Sequence, residues 1–351
     1  MSLPPLTRRA FGAVSALSAA AVWAPAIGVR AQTDGAALGR VTVAVGGQGV
    51  LYHLPLALAD ALGYFRLEGL DVVVRDYSAG ALAWQAVQDG AADVCSGAFE
   101  HVLRAQARGH AYRALVVQGR APQLALGVSL RSVPAYKDLG DLAGRKVGVS
   151  SVGSSTHLAA SLMLMRAGVP LREVSFVGVG SGTNAMNALR SGQVQALCHA
   201  DPIMSLLEHR GEVRLVSDLR TLTAAQEVFG GAMPASCLYA PQAFLHKEPL
   251  VAQALTNAIV HALKWLQTAS PADLIKAVPA SYVLDDRAVY LAAFNRVRET
   301  FSPNGLMPED GPATALRALA QAYPHMASPR VSLPRTFTDD LARKARQKFG
   351  V

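Results

Sequence analysis

Three glycine-led segments recur in the same order about one hundred residues apart, and this repeat constrains the fold more than any other feature of the chain. Gly49, Gly80 and Gly90 are answered by Gly153, Gly182 and Gly192, at offsets of 104, 102 and 102 residues. Each copy opens on an apolar run, Val41-Thr42-Val43-Ala44-Val45 in one and Val147-Gly148-Val149 in the other, that ends in a turn of small or polar residues. One glycine match means nothing. Three in order at nearly constant spacing are expected of two units of one architecture. Each unit reads strand–helix–strand–helix–strand, which predicts a mainly parallel sheet with helices on both faces. Ligands of such sheets gather beyond the carboxyl ends of the strands. Two similar units therefore set two rims against each other across a cleft.

The second copy carries the clearest ligand-holding pattern. Lys146-Val147-Gly148-Val149 reads as a buried strand, Ser150 to Thr156 as a polar turn, and His157 to Ala167 as a helix with Leu158, Leu162 and Met165 on one face. Gly168 and Pro170 stop it. Such a turn aims backbone N–H groups and a positive helix end at a small, partly anionic ligand. The turn has no P-loop lysine, so triphosphate chemistry is not indicated.

The ends of the chain read differently. Thr7-Arg8-Arg9-Ala10-Phe11 resembles a twin-arginine export motif, an uncharged Ala-rich stretch runs from Ala10 to Val29, and Val29-Arg30-Ala31 suits signal-peptidase cleavage. Residues 1–31 are thus expected to be a removed signal peptide and the mature protein periplasmic. A membrane anchor fits less well, because the stretch is only weakly apolar, and no later segment is long and apolar enough to span a bilayer. Of 33 basic residues three would leave with the leader, so 30 stand against 25 acidic ones, a net of +5 in place of +8. That excess is spread along the chain without a basic run or aromatic interleaving, which argues against nucleic-acid binding. Cys95, Cys198 and Cys237 are odd in number and form no CxxC; buried free thiols are expected, with one disulfide as the open alternative.

The remaining length, about 320 residues, is more than one core usually supports. Leu124 to Leu130 reads as an extended run leaving the first lobe, and Ser236 to Ala240 as the returning one. Lobe one is placed at 40–128 and 236–351, lobe two at 132–232, with a two-strand hinge between them. An amphipathic helix from Pro249 to Leu266 shows Val251, Leu255, Ile259, Ala262 and Leu266 on one side. Residues 271–351 are expected to brace the first lobe.

Several motifs together resemble the periplasmic solute-binding proteins of ABC importers, in the nitrate/sulfonate/taurine branch that also holds binders of thiamine-precursor pyrimidines and aromatic carboxylates. They are Ala61-Leu62-Gly63-Tyr64-Phe65-Arg66-Leu67-Glu68-Gly69-Leu70-Asp71-Val72, Gly90 with Asp93, Asp141 to Val149, Gly192-Gln193-Val194, Asp201-Pro202, and Phe244 through Pro249 ahead of the helix with Trp265. The resemblance covers roughly residues 40–320. It implies a two-lobed periplasmic binding protein fold of type II that closes on ligand about its hinge. It also implies a monomer without cofactor or metal, delivering a small organic acid, sulfonate or heteroaromatic compound to an inner-membrane permease. One departure stands out: the family usually has Asp where this chain has Gln195, a mostly structural position. A ligand sensor for a signalling receptor is the alternative. An enzyme of the thiamine-pyrimidine type is disfavoured, since that group carries a tight cysteine cluster and this chain does not.

Candidate ligand contacts follow from the turns after each strand. In the second unit they are Gly153, Ser154, Ser155 and Thr156, then Thr183 and Asn184, then His199 and Asp201. In the first they are Gln48 and Tyr52, Ser78, and Ser96 with Phe99. Each has a plainer reading: Ser, Thr, Asn and Asp also cap helices, and Phe99 also suits a core. Asp201 is read first as a cap before Pro202. His53 is read as a solvated loop residue, and Glu100 is noted near a strand end without a role.

Overall fold

The computed structural model describes residues 38–326 and 330–351. The export signal and its cleavage site therefore lie outside the described residues. Ten strands form two five-stranded sheets. The first holds β1 (Gly39–Gly46), β2 (Leu70–Tyr77), β3 (Val94–Ala98) and β4 (Tyr112–Val117); the second holds β5 (Leu124–Ser129), β6 (Lys146–Val149), β7 (Ser175–Gly178), β8 (Ala196–Ala200) and β9 (Val213–Asp218). β10 (Ser236–Pro241) returns to the first. The strand orders are β2-β1-β3-β10-β4 and β7-β6-β8-β5-β9, the same plan twice, as the glycine repeat requires.

Each sheet is mainly parallel with one antiparallel strand, and that strand comes from the crossover. β5 runs antiparallel between β8 and β9, and β10 runs antiparallel between β3 and β4. The expected boundary after residue 128 is therefore corrected. Leu124–Ser129 belongs to the second sheet, because its backbone pairs with β8 and β9. The chain crosses through 118–123 and returns through 230–235, and the two passages lie side by side: Gln118 and Gly119 donate to Ser236 O at 2.7 and 3.0 Å, and Ala235 N donates to Gly119 O at 3.0 Å.

Both faces of each sheet are buried, and the two-residue period of a strand sorts the side chains. Val41, Val43 and Val45 join one core cluster while Ala44 joins the cluster on the opposite face. In β8, Ala196, Cys198 and Ala200 pack on one side and Leu197 on the other. The predicted helices appear as Ser155–Arg166 and Pro249–Thr268. The three cysteines are free and buried on β3, β8 and β10. No helix among the described residues is long and apolar enough to cross a membrane.

The C-terminal segment does more than brace the first lobe. Helix Gly311–Ala322 shares a core with Leu158 and Leu162 of the second, and the Tyr323 hydroxyl donates to His157 Nδ1 at 2.8 Å. Helix Arg287–Val297 lies against Ile203–His209, with Arg296 paired to Glu208 at 2.8 Å. The segment bridges both lobes.

Candidate functional site

The carboxyl ends of the two sheets face each other, and the rims are in contact. Leu51 N donates to Asp201 O at 2.8 Å, Ala81 N to Ser154 Oγ at 3.2 Å, and Ser181 Oγ to Ser78 O at 2.7 Å. Close approach on the first rim depends on glycine: a Cβ at Gly46 would lie 2.2 Å from Gly80 N. Between the rims lies a cavity of ≈ 430 Å³. Its first wall includes Tyr52, His53, Gly80 and His101, and its second Ser150, Ser155, Thr156, Ser181 and His199. A smaller void of ≈ 270 Å³ adjoins it through Tyr52 and Ser155, and Glu100 lines that one. A wider crevice of ≈ 1000 Å³ opens on the outer side, lined by Ser78, Thr183 and Asn184 among others.

The serine turn divides its labour. Thr156 Oγ1 accepts from Ser150 N at 2.9 Å, and Ser154 Oγ bonds Ser151 Oγ at 2.8 Å while accepting from Ala81 across the cleft. Gly153, at φ +92°, donates its N–H to His157 Nδ1 at 3.1 Å. Ser155 Oγ makes no hydrogen bond among the described residues, and it faces the cavity. Helices Gly80–Gln88 and Ser155–Arg166 both start at the cavity, so two positive helix ends converge there.

Not every expected residue reaches the cavity. Tyr52, Ser155, Thr156 and His199 line it; Ser78, Thr183 and Asn184 line the outer crevice instead. Ser96 sits beneath the wall, its Oγ accepting from Gln118 Nε2 at 3.0 Å and lying 3.3 Å from His53 Nδ1. Gln48 is half-buried and its backbone N–H is held by Asp76 at 2.9 Å. Gly153 and Ser154 shape the turn. Phe99 is fully buried in the core with Val102 and Leu103, so it walls nothing. Asp201 takes the capping role read for it first, and it does not line the cavity as a ligand contact. It is buried, caps the helix Ile203–His209 through Ser205 N at 2.8 Å, and pairs with the fully buried Arg220 at 3.1 Å.

Three wall residues were missed from sequence: His53, His101 and Glu100. His53 is buried, not solvated, and burial pushes its imidazole down to about 3. Burial, with Arg104 nearby, pushes His101 down to about 3 as well. His199 is lowered by burial, although carbonyls of Ala200 and Gly180 work against the shift. The imidazoles of the cavity wall are therefore neutral at neutral pH. The Tyr52 hydroxyl, His101 Nε2 and Glu100 Oε1 are buried without a hydrogen-bond partner. Glu100 and His101 occupy the first turn after β3, and that position beyond a parallel strand is the signal that could have found them.

A family profile described as NMT1/THI5 like matches residues 50–272. The chain belongs to that family. A solved structure of a protein from Bordetella bronchiseptica RB50 is 49% identical, with a TM-score of 0.87 over 89% of this chain and 98% of that one. The fold is that of periplasmic binding proteins. The alkanesulfonate-binding protein SsuA from Xanthomonas axonopodis pv. citri, bound to MOPS, superimposes at TM-score 0.63 with 19% identity over 85% of this chain and 98% of its own. The nitrate-binding protein NrtA from Synechocystis PCC 6803 gives 0.68 with 13% identity over 88% of both. Among curated relatives, a putative binding protein of Bacillus subtilis, YtlA, is 22% identical over 74% of this chain and 76% of its own. A yeast 4-amino-5-hydroxymethyl-2-methylpyrimidine phosphate synthase matches only 45% of each chain.

Proposed function

We propose that the protein is an exported, monomeric solute receptor that passes a small organic acid, sulfonate or heteroaromatic compound to an ABC permease in the inner membrane. The observation that carries this reading is the cavity between the two rims, walled by both lobes and lined by buried polar atoms without partners. Buried polar groups are costly unless paired, so the wall suits a ligand that supplies the missing bonds. The names of the sulfonate-, alkanesulfonate- and nitrate-binding neighbours support the receptor role. Rims that meet through three hydrogen bonds support closure about the hinge as the signal a permease reads. Binding without turnover is favoured by the cysteines, which sit on three separate strands with Cys95 and Cys198 pushed up to about 12 by burial. The twin-arginine pattern supports export.

The test is to purify the protein without denaturation, release bound small molecules with acid, and identify them by mass spectrometry. Those compounds, with nitrate, alkyl sulfonates, aromatic carboxylates and aminopyrimidines, are then returned in thermal-shift and small-angle scattering measurements. A ligand at about one hundred times its Kd adds about 2.7 kcal/mol and shifts melting by several degrees. The particle becomes more compact on binding. No shift and no compaction with any compound would overturn the receptor reading.

A further inference from the structure

Resting on the receptor reading, we propose that Glu100 selects the ligand: the ligand gives an N–H donor to its buried carboxyl and turns an acceptor end toward the first residues of the Gly80 and Ser155 helices. The receptor then prefers amine- or amide-bearing molecules to simple anions of the same shape.

Tyr52 and Ser155 line both voids, which therefore lie side by side, and the proposed ligand reaches from one to the other past these two side chains. In the smaller void Glu100 is 2% exposed and its Oε1 has no hydrogen-bond partner. A buried carboxyl oxygen in that state calls for a donor. The chain does not supply one. No Lys or Arg lines either void, and the imidazoles of His53 and His101 are uncharged. Burial raises the Glu100 carboxyl, and Arg104, one helical turn on, draws it back down; that guanidinium stacks on the Tyr323 ring at 4.6 Å and lines neither void. A sulfonate or carboxylate pushed against Glu100 would meet a second acid, with Arg104 set back outside the lining.

The other end of the cavity has the opposite character. The Gly80 and Ser155 helices, of nine and 12 residues, present their positive ends there, and Ser155 Oγ is unbonded. Those groups suit a carbonyl, a carboxylate or a ring nitrogen. The unpartnered Tyr52 hydroxyl stands between the two ends and can serve either. Two-ended chemistry of this kind is what separates an N–H donor ligand from the anions named for the sulfonate- and nitrate-binding neighbours.

The test uses matched pairs differing at the donor: taurine with ethanesulfonate, 4-aminobenzoate with benzoate, nicotinamide with nicotinate. Titration calorimetry on the wild-type protein is expected to show, in at least one pair, the N–H-bearing member binding at least tenfold more tightly. Glu100→Gln should erase that preference with the melting of the ligand-free protein little changed, and Glu100→Asp should weaken it. Equal or reversed preference in the pairs overturns the proposal, as does a preference that survives Glu100→Gln. The wild-type comparison stands by itself should a variant fail to fold. Silence toward every pair also overturns it, and the receptor reading is then judged separately by the released ligand and the scattering.

Discussion

Gln195 does in the second lobe what Asp93 does in the first. Asp93 N donates to Thr42 O at 3.0 Å and Asp93 Oδ2 accepts from Thr42 N at 2.8 Å; Gln195 N donates to Lys146 O at 2.9 Å and Gln195 Oε1 accepts from Lys146 N at 3.0 Å. Each side chain closes the start of the pairing with the neighbouring parallel strand, β1 or β6, three residues past the repeated glycine. The amide adds a bond that the carboxylate lacks, from Nε2 to Gly192 O at 2.9 Å. The departure from the usual Asp is thus structural and leaves the cavity untouched. Gln195→Ala is expected to cost about 1 kcal/mol in chemical denaturation, and Gln195→Asp less, with ligand affinity unchanged in both. A loss of affinity in either would place the residue in recognition.

Asp201 belongs to the scaffold. Its carboxylate meets Arg220, which no solvent reaches and which Asp218 also holds at 2.7 Å. Burial alone would lower the Arg220 guanidinium, but the bonds to Asp218 and Asp201 more than offset it and raise it. Removing one partner of a buried pair costs about 3–5 kcal/mol. Asp201→Ala should fall near the lower end of that range, since Asp218 remains. Urea midpoints measure it, and a change below about 1 kcal/mol would mean that the pair is dispensable.

Much of the fold was legible because local pattern decides it. The short, nearly continuous apolar runs of β1, β6 and β10 mark strands buried on both faces, and the glycines that end the repeated helices, Gly90 and Gly192, mark the return to the sheet. Sheet membership was not legible for β5. An apolar run such as Leu124-Ala125-Leu126-Gly127-Val128 announces burial without saying between which partners. The site was legible chiefly on its serine side, where turn chemistry and helix start coincide, and on the first wall at Tyr52 alone. His53 looked solvated because it precedes a helix start in a loop, and it is buried against its own lobe, with Nδ1 3.3 Å from Ser96 Oγ. The Asp201–Arg220 pair joins residues 19 apart through tertiary packing alone, so no spacing rule reaches it.

Buried neutral histidines give stability a definite pH dependence. His53 and His101 are held near about 3, whereas an unfolded histidine titrates near about 6.5. Between those values the unfolded chain binds more protons, so stability rises with pH. It is fully present above about 6.5 and is lost as pH falls toward about 3, by up to about 1.4 kcal/mol per pH unit for each histidine. Urea midpoints at pH 7.5, 6 and 5 should fall in that order. His53→Gln should flatten the slope; an unchanged slope would assign the acid loss to other groups.

Export is tested outside the described residues. Arg8→Lys with Arg9→Lys is expected to leave uncleaved precursor in the cytoplasm, detected by fractionation and intact-mass measurement. Normal processing of that variant would refute the twin-arginine reading while leaving the receptor reading in place.

Ser154 and Ser155 are neighbours with separable tasks. Ser154 Oγ accepts Ala81 N across the cleft, so it stabilises the closed form, whereas Ser155 Oγ is free to meet the ligand. Ser155→Ala should weaken binding at least tenfold while the liganded particle stays as compact as the wild type. Ser154→Ala removes one interlobe bond of about 1 kcal/mol, enough to shift the closed population about fivefold. Affinity then falls by a similar factor through the open–closed balance, and scattering of the ligand-free protein moves toward the open form. If the two variants lost affinity equally with identical scattering, closure and contact would not be divided between them, and the turn would act as a single binding element.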